Sequence, residues 1–310
     1  MNAQSSHTIS HLHGRADILA GNLPALIVAA DRVAATVAQG VHGRRRVGQG
    51  ETFWQYRLYE AGDPVQQIDW RRSARSDTVY LRENEWEATQ SVWLWSDASP
   101  SMHYSSKRNL PEKRERADLL ALALGSLLVR GGEHIAPLGR GTRPSMGKMA
   151  LNLLAAALEE RLDKSEAGEV ESLPPYEPVP KYGRLVLMSD FMEPLEDINR
   201  ALGMFADRGV HGHVLQILDP AEHSLPFSGR TRFEGMESEG TALIGRVEGV
   251  REDYRETLKS HQAGLRAIAR TAGWSYGFHV TDSSPESALL NLYTALAGPQ
   301  DADVVTGMGR

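Results

Sequence analysis

Residues 92–97 read Val-Trp-Leu-Trp-Ser-Asp, an almost unbroken apolar run that stops at an acid. A strand with one wet face alternates apolar and polar residues, whereas a short continuous run belongs to a strand covered on both faces. The pattern returns in Arg184–Ser189 (RLVLMS), which leads into Asp190, and in residues 213–218 (HVLQIL). Between and beyond these runs, apolar residues recur at helical spacing. The periodicity predicts helices over 111–130, 148–162, 194–208, 251–272 and 286–296, and further strands at 134–139 and Ser275–Val280. Pro111 opens the first of these helices, where its missing N–H is no loss. Strands alternating with helices define an α/β fold: a Rossmann-like, mostly parallel sheet with helices on both faces. Residues 229–247 read as a β-hairpin excursion from that plan.

Outward from this domain, expected over 89–298, the chain changes character. Residues 16–88 form a smaller, irregular and β-containing N-terminal region. It holds apolar helical spacing over 18–39 closed by Gly40, then a basic loop over 40–50 (GVHGRRRVGQG), then aromatics and charges around β-like pieces such as 78–82. Residues 1–15 read as a flexible lead-in and 299–310 as a flexible tail.

Composition narrows the chemistry. The 310 residues carry 34 Lys and Arg against 40 Asp and Glu, a formal net charge of −6 that argues against coating nucleic acid. There is no cysteine, which excludes disulfides, thiolate zinc sites and cysteine nucleophiles. The longest apolar stretch, residues 119–129, falls well short of the roughly 20 residues that span a bilayer. The N-terminus lacks a basic start followed by an apolar core, so no secretory signal is visible and a cytoplasmic location is expected.

Any intrinsic metal site must therefore use oxygen or histidine. The strongest candidate follows the first buried strand: Asp97-Ala98-Ser99-Pro100-Ser101. A carboxylate and two hydroxyls at alternate positions can aim three oxygens at one spot as the chain leaves the sheet. Hard cations such as Mg²⁺ take such oxygens and keep other positions for water or a ligand. Asp190 ends a second strand, and ligands of parallel sheets bind at the carboxyl ends of strands.

This pattern resembles the metal-ion-dependent adhesion site of von Willebrand factor A domains. The upstream residues narrow the resemblance: Arg57-x-Tyr59-x-x-Gly62-Asp63, Ile68-Asp69-Trp70 and Ser73-Ala74-Arg75 are similar to the signature preceding such a domain in the domain-of-unknown-function 58 family. The likeness runs from about Gly43 to Leu296. It implies a von Willebrand factor A-like fold and a Mg²⁺ or Mn²⁺ ion held by Asp97, Ser99, Ser101 and Asp190. A further hydroxyl would come from the next strand–helix loop, GRGTRPSMGK, as Thr142 or Ser145. It further implies a partner protein that supplies a carboxylate to the ion, and an association with MoxR-type AAA+ ATPases.

The residues by themselves leave other readings open. A metal-dependent phosphoester hydrolase could use the same acids, but needs a base or second metal that the sequence does not display. A metal-free structural interaction module would treat Asp97–Ser101 as a capped turn. There is no G-x-S-x-G elbow, and no catalytic residues are expected. Asp63 and Asp69 are expected to pair with Arg57, Arg72 or Arg75, and Gly43–Gly50 reads as a solvated basic loop. His211 and His213 lack a third zinc ligand, and His103 reads as a surface histidine beside the site. The run Glu112–Arg116 reads as an exposed, mixed-charge helix face.

Overall fold

The computed structural model of the chain describes residues 29–38, 47–48, 52–59, 68–75, 78–85, 90–166, 171–237 and 240–296, with backbone only at 47–48, 52–57 and 82–85. The expected lead-in and tail, Gly43–Arg46, Gly62 and Asp63 lie outside the described residues. The chain divides into two compact units: Gly40–Gln90, and Met1–Gln39 together with Ser91–Arg310.

Helical residues 29–38 (α1) thus belong to the larger unit. Ala30, Val33, Ala34 and Val37 are buried at helical spacing. On the polar side, Asp31 accepts hydrogen bonds from Ser126 (2.7 Å) and Arg130 (3.0 Å). These contacts take α1 out of the expected 16–88 grouping.

The smaller unit is a three-stranded antiparallel sheet of β1 (Val47–Gly48), β2 (Thr52–Leu58) and β3 (Tyr80–Glu85), ordered β1-β3-β2. A single helical turn, α2 (Trp70–Ser73), interrupts it. Asp69 caps that turn by accepting from the Arg72 backbone N–H at 2.9 Å. Ser73 Oγ donates to Asp69 O (2.8 Å) and accepts from Tyr80 N (2.9 Å), stitching the turn to β3. The Arg72 guanidinium lies over the Tyr80 ring, 4.9 Å from its centroid. The upstream signature residues described here serve local architecture.

The larger unit runs β4 (Ser91–Ser96), a 3₁₀ turn (Pro100–His103), α3 (Lys113–Arg130), β5 (His134–Pro137) and α4 (Gly147–Glu166). It continues through β6 (Arg184–Ser189), α5 (Leu195–Ala206), β7 (His211–Leu218) and α6 (Pro220–Ser224). The hairpin β8 (Thr231–Glu234) and β9 (Thr241–Ile244), then α7 (Val247–Thr271), β10 (Ser275–Val280) and α8 (Pro285–Leu296), complete it. Five strands form one sheet in the order β10-β7-β6-β4-β5, every pair parallel. The α/β reading of the sequence is correct. Among the described residues no helix is long and apolar enough to cross a membrane.

Both faces of the sheet are covered, which is why β4 and β6 at its centre are almost continuously apolar. On one face Trp93, Trp95, Leu185, Leu187 and Val214 pack with α5 and α7. Ile198, Ala201, Leu202 and Phe205 of α5 recur at one helical face and meet this layer. On the other face α3 packs against the sheet, α4 and α8, and is buried on nearly every side.

One close approach locks the β7 end of the sheet. A Cβ on Gly212 would lie 2.3 Å from a Trp274 ring carbon, and that indole is anchored by Nε1 donating to Val210 O at 2.8 Å. Gly212→Ala is therefore expected to lose about 1–3 kcal/mol through overpacking. Urea denaturation measures it; an unchanged midpoint would mean that the indole swings away freely.

Candidate functional site

The chain visits the central strands in the order β4, β5, β6, yet β4 lies between β5 and β6. The connections after β4 and after β6 diverge, which makes the β4–β6 gap a topological switch point. Ligands of open parallel sheets bind beside such gaps, outside the carboxyl ends of the strands. Asp97 follows β4 and Asp190 follows β6, so the sheet itself brings these two acids side by side.

Asp97 is fully buried. Its Oδ1 accepts from the Ser99 N–H at 2.8 Å, and its Oδ2 accepts from Ser99 Oγ (3.0 Å) and Ser189 Oγ (2.7 Å). Ser99 Oγ lies 3.2 Å from Ser101 Oγ. One carboxylate and three hydroxyls thus form a continuous oxygen cluster. Ser189 is a member that sequence reasoning missed, although it immediately precedes Asp190. It also accepts from the Phe191 N–H at 3.0 Å.

Asp190 is aimed by a strained turn. Phe191 has φ of 48°, a left-handed conformation that costs a side-chain-bearing residue roughly 1–2 kcal/mol. Burial of its ring and a 2.6 Å contact between its carbonyl oxygen and His261 Nε2 hold it there. Gln216 Nε2 donates to the Asp190 carbonyl at 2.8 Å. The Asp190 Oδ1 atom is buried and has no hydrogen-bond partner.

Thr142 lies in the loop between β5 and α4, which leaves the same end of the sheet. The structure does not join it to the Asp97 cluster by a hydrogen bond. Its Oγ1, like Ser145 Oγ, is buried without a partner.

The electrostatics are unusual for acids. Burial, and then the neighbouring Asp190 charge, push the Asp97 carboxyl up to about 8 despite hydrogen bonds that favour the anion. A positive charge already stands nearby. Lys113, with no exposure, places Nζ 2.8 Å from Asp190 Oδ2 and 2.5 Å from Glu222 Oε1. Burial alone would lower its pKa, but Asp190 and Glu222 outweigh that and hold it above the ordinary lysine value.

Lys113 corrects the reading of Glu112–Arg116 as an exposed helix face. Arg116 is also buried, donating to Thr281 O (2.8 Å) and Ser283 O (2.7 Å). His103 is likewise engaged within the chain, with Nδ1 3.2 Å from Glu112 Oε2 and Nε2 3.1 Å from Ser165 Oγ. Asp118 accepts from Ser96 Oγ (2.7 Å) and Arg114 (2.8 Å), a second buried polar link beneath the site.

The donors present fit a hard divalent cation. They are all oxygens, and one of them, Asp190 Oδ1, is buried without a partner, as native structures rarely leave such an atom. Among the described residues no three His, Cys, Asp or Glu side chains gather into a metal cage. A cation at Asp97 would therefore rely on hydroxyls and keep much of its charge for a further ligand.

A Rossmann-like sheet with an acid–hydroxyl cluster at its switch point defines the class of this protein. Comparison places it further: the chain belongs to the family described as "Protein of unknown function DUF58", whose profile matches residues 55–264. "Uncharacterized protein Rv1480" of Mycobacterium tuberculosis (strain ATCC 25618 / H37Rv) is 25% identical over 251 residues, covering 76% of this chain and 77% of the relative. "Uncharacterized protein Mb1516" of Mycobacterium bovis matches to the same extent. Among solved structures, the chain is similar to an aerotolerance-related membrane protein from Bacteroides fragilis, at 16% identity and a TM-score of 0.37, over 67% of this chain and 98% of that one. BatB from Bacteroides thetaiotaomicron gives 16% identity and a TM-score of 0.33 over the same shares.

Proposed function

We propose that this protein is a non-enzymatic, divalent-cation-dependent protein-binding protein of von Willebrand factor A type. The carrying observation is the Asp97–Ser99–Ser101–Ser189 oxygen cluster beside the unpartnered Asp190 Oδ1 at the sheet's switch point. Asp97, Ser99, Ser101 and Asp190 would hold Mg²⁺ or Mn²⁺, with Thr142 as the hydroxyl from the neighbouring loop. The ion would supply an electrophilic anchor, and a partner's carboxylate would complete its coordination. The resemblance of the upstream signature and of the D-x-S-x-S motif suggests a MoxR-type AAA+ ATPase as the working partner, in the cytoplasm, for assembling or activating another protein complex.

Calorimetric titration with Mg²⁺ and Mn²⁺ tests the site. Wild type is expected to bind one ion and Asp97→Asn to bind none, with the fold retained because the amide can keep the Ser99 and Ser189 hydrogen bonds. Equal binding by both proteins would remove these residues from the ligand set. Capture of the ATPase that survives EDTA would instead favour a metal-free interaction module.

A further inference from the structure

The carboxyl end of β4 holds a second group of unsatisfied atoms, and these are donors. Trp95, two residues before Asp97, is 1% exposed, and its Nε1–H has no hydrogen-bond partner. Arg161, in the last turns of α4, lies over that indole with Cζ 5.1 Å from the ring centroid. Its Nε and Nη2 are buried and likewise without partners. An indole N–H and a guanidinium can only donate. Native structures rarely leave such groups unpaired, and here three of them are neighbours.

The acids around Arg161 are engaged elsewhere. Asp118 accepts from Arg114 (2.8 Å) and from Ser96 Oγ (2.7 Å). Asp97 accepts from Ser99 on both oxygens and from Ser189 on one. Glu160, the preceding residue, pairs with Arg140 and Lys164. Burial lowers the Arg161 pKa and outweighs the opposite pull of Asp97 and Asp118. The guanidinium is thus a largely buried cation short of a counter-ion, while its side chain as a whole is only half-buried and can be reached from solvent.

The unpartnered atoms also specify a shape. Nε and Nη2 share one edge of the guanidinium, and their N–H bonds run parallel. That edge is the fork that takes both oxygens of a carboxylate. A monoanion balances the single positive charge. A phosphate dianion would leave negative charge in excess close to Asp118.

We propose that Arg161 and Trp95 form a carboxylate-binding site, in which the Nε–Nη2 fork takes both oxygens and the Trp95 Nε1–H donates to one of them. The site lies at the carboxyl end of β4, where parallel sheets bind their ligands. It needs no metal and does not rest on the reading of Asp97 as a cation ligand.

The test uses the full chain with ¹⁵N-labelled tryptophan, in EDTA, with acetate as the probe. The chain has six tryptophans, and Trp95→Phe identifies the Trp95 indole resonance by its loss. Acetate is expected to shift that resonance downfield along a saturable curve in the millimolar range, the strength open to so few atoms. Sodium chloride at equal ionic strength should leave it in place. Arg161→Lys keeps the charge but loses the fork, and is expected to weaken acetate roughly tenfold or more. Thermal melting checks its fold, and Arg161→Gln replaces it should lysine unfold the chain. The amide of N-acetylaspartate separates the sources: tighter binding than acetate assigns the site to a protein side chain, and exclusion assigns it to a small free carboxylate. Phosphate binding more tightly than acetate would overturn the carboxylate assignment. A shift that never saturates in wild type, or one that keeps its midpoint in Arg161→Lys, would overturn the site. Mg²⁺ binding is read separately by calorimetry, so failure of either site leaves the other standing.

Discussion

Lys113→Met is expected to destabilise the protein by about 3–5 kcal/mol, the usual result of removing one partner from a buried ion pair. Its ammonium is wholly enclosed, and so is the Asp190 carboxylate that it contacts at 2.8 Å. Methionine fills much of the lysine's volume, so the loss is of charge and hydrogen bonds, not of packing. Without Nζ, Asp190 would keep no hydrogen bond on either carboxylate oxygen, because Oδ1 already lacks one. Glu222 would lose its 2.5 Å contact as well, and burial already raises its pKa. Urea denaturation at neutral pH measures the effect. The double variant Lys113→Met/Asp190→Asn should recover part of it, because the stranded charge is then gone. A loss below about 1 kcal/mol would place Lys113 among ordinary surface pairs and sink its role as the resident counter-charge.

Acidification is expected to destabilise the protein through two buried histidines, by up to about 3 kcal/mol for each group shifted this far. Burial, and then the Arg116 charge, lower His279 to about 4. Arg116 Nη1 lies 3.0 Å from His279 Nε2, so that nitrogen must accept and the ring must be neutral. Burial alone lowers His213 to about 4, with its Nε2 unpartnered. In the unfolded chain both rings titrate near 6.5. Between pH 6.5 and 4 the unfolded state therefore binds protons that the native state refuses. Stability from these groups is complete above 6.5 and is lost as pH falls toward 4.

Asp97 acts in the opposite sense. Its native carboxyl keeps a proton up to about 8, whereas the unfolded chain releases it near 3.8. Its contribution thus favours the native state at low pH and fades as pH rises across that range. The two histidines are isolated by comparison with His279→Gln, in which the amide oxygen can accept from Arg116. The stability lost by wild type between pH 7 and 4.5 should shrink markedly in this variant. Parallel pH profiles for the two proteins would show that His279 is not kept neutral by its burial.

Much of the architecture was legible in the chain. Val92–Ser96 and Arg184–Ser189 were read correctly because strands covered on both faces must be apolar at successive positions, and that leaves a continuous run in the sequence. Amphipathic α5 declared itself through Ile198, Ala201, Leu202 and Phe205. The five-residue α6 was missed, since it is too short to show a period and exists as a capped turn on Asp219, which accepts from Ala221 N at 2.7 Å.

The site was legible only where its parts are local. Asp97, Ser99 and Ser101 lie within five residues, and their oxygens meet because one chain turn carries them. Lys113 was misread because a charged residue near a helix start looks exposed until its partners are known. Those partners come from 77 and 109 residues away. The acceptance of the Ser101 N–H by Glu237 at 3.3 Å, across 136 residues of sequence, gave no sign in the sequence at all.

The opening run Val-Trp-Leu-Trp-Ser-Asp by itself determined that a buried strand ends at an acid, and with its repeats that the sheet is parallel and doubly covered. Burial on two faces is a property of each strand, so its own residues record it. Only the tertiary structure decided that β4 and β6 are neighbours, that Asp97 and Asp190 consequently lie buried side by side, and that the Lys113 ammonium pairs with Asp190. Charge compensation is a relation among residues distant in sequence. Its partners are chosen when the sheet assembles.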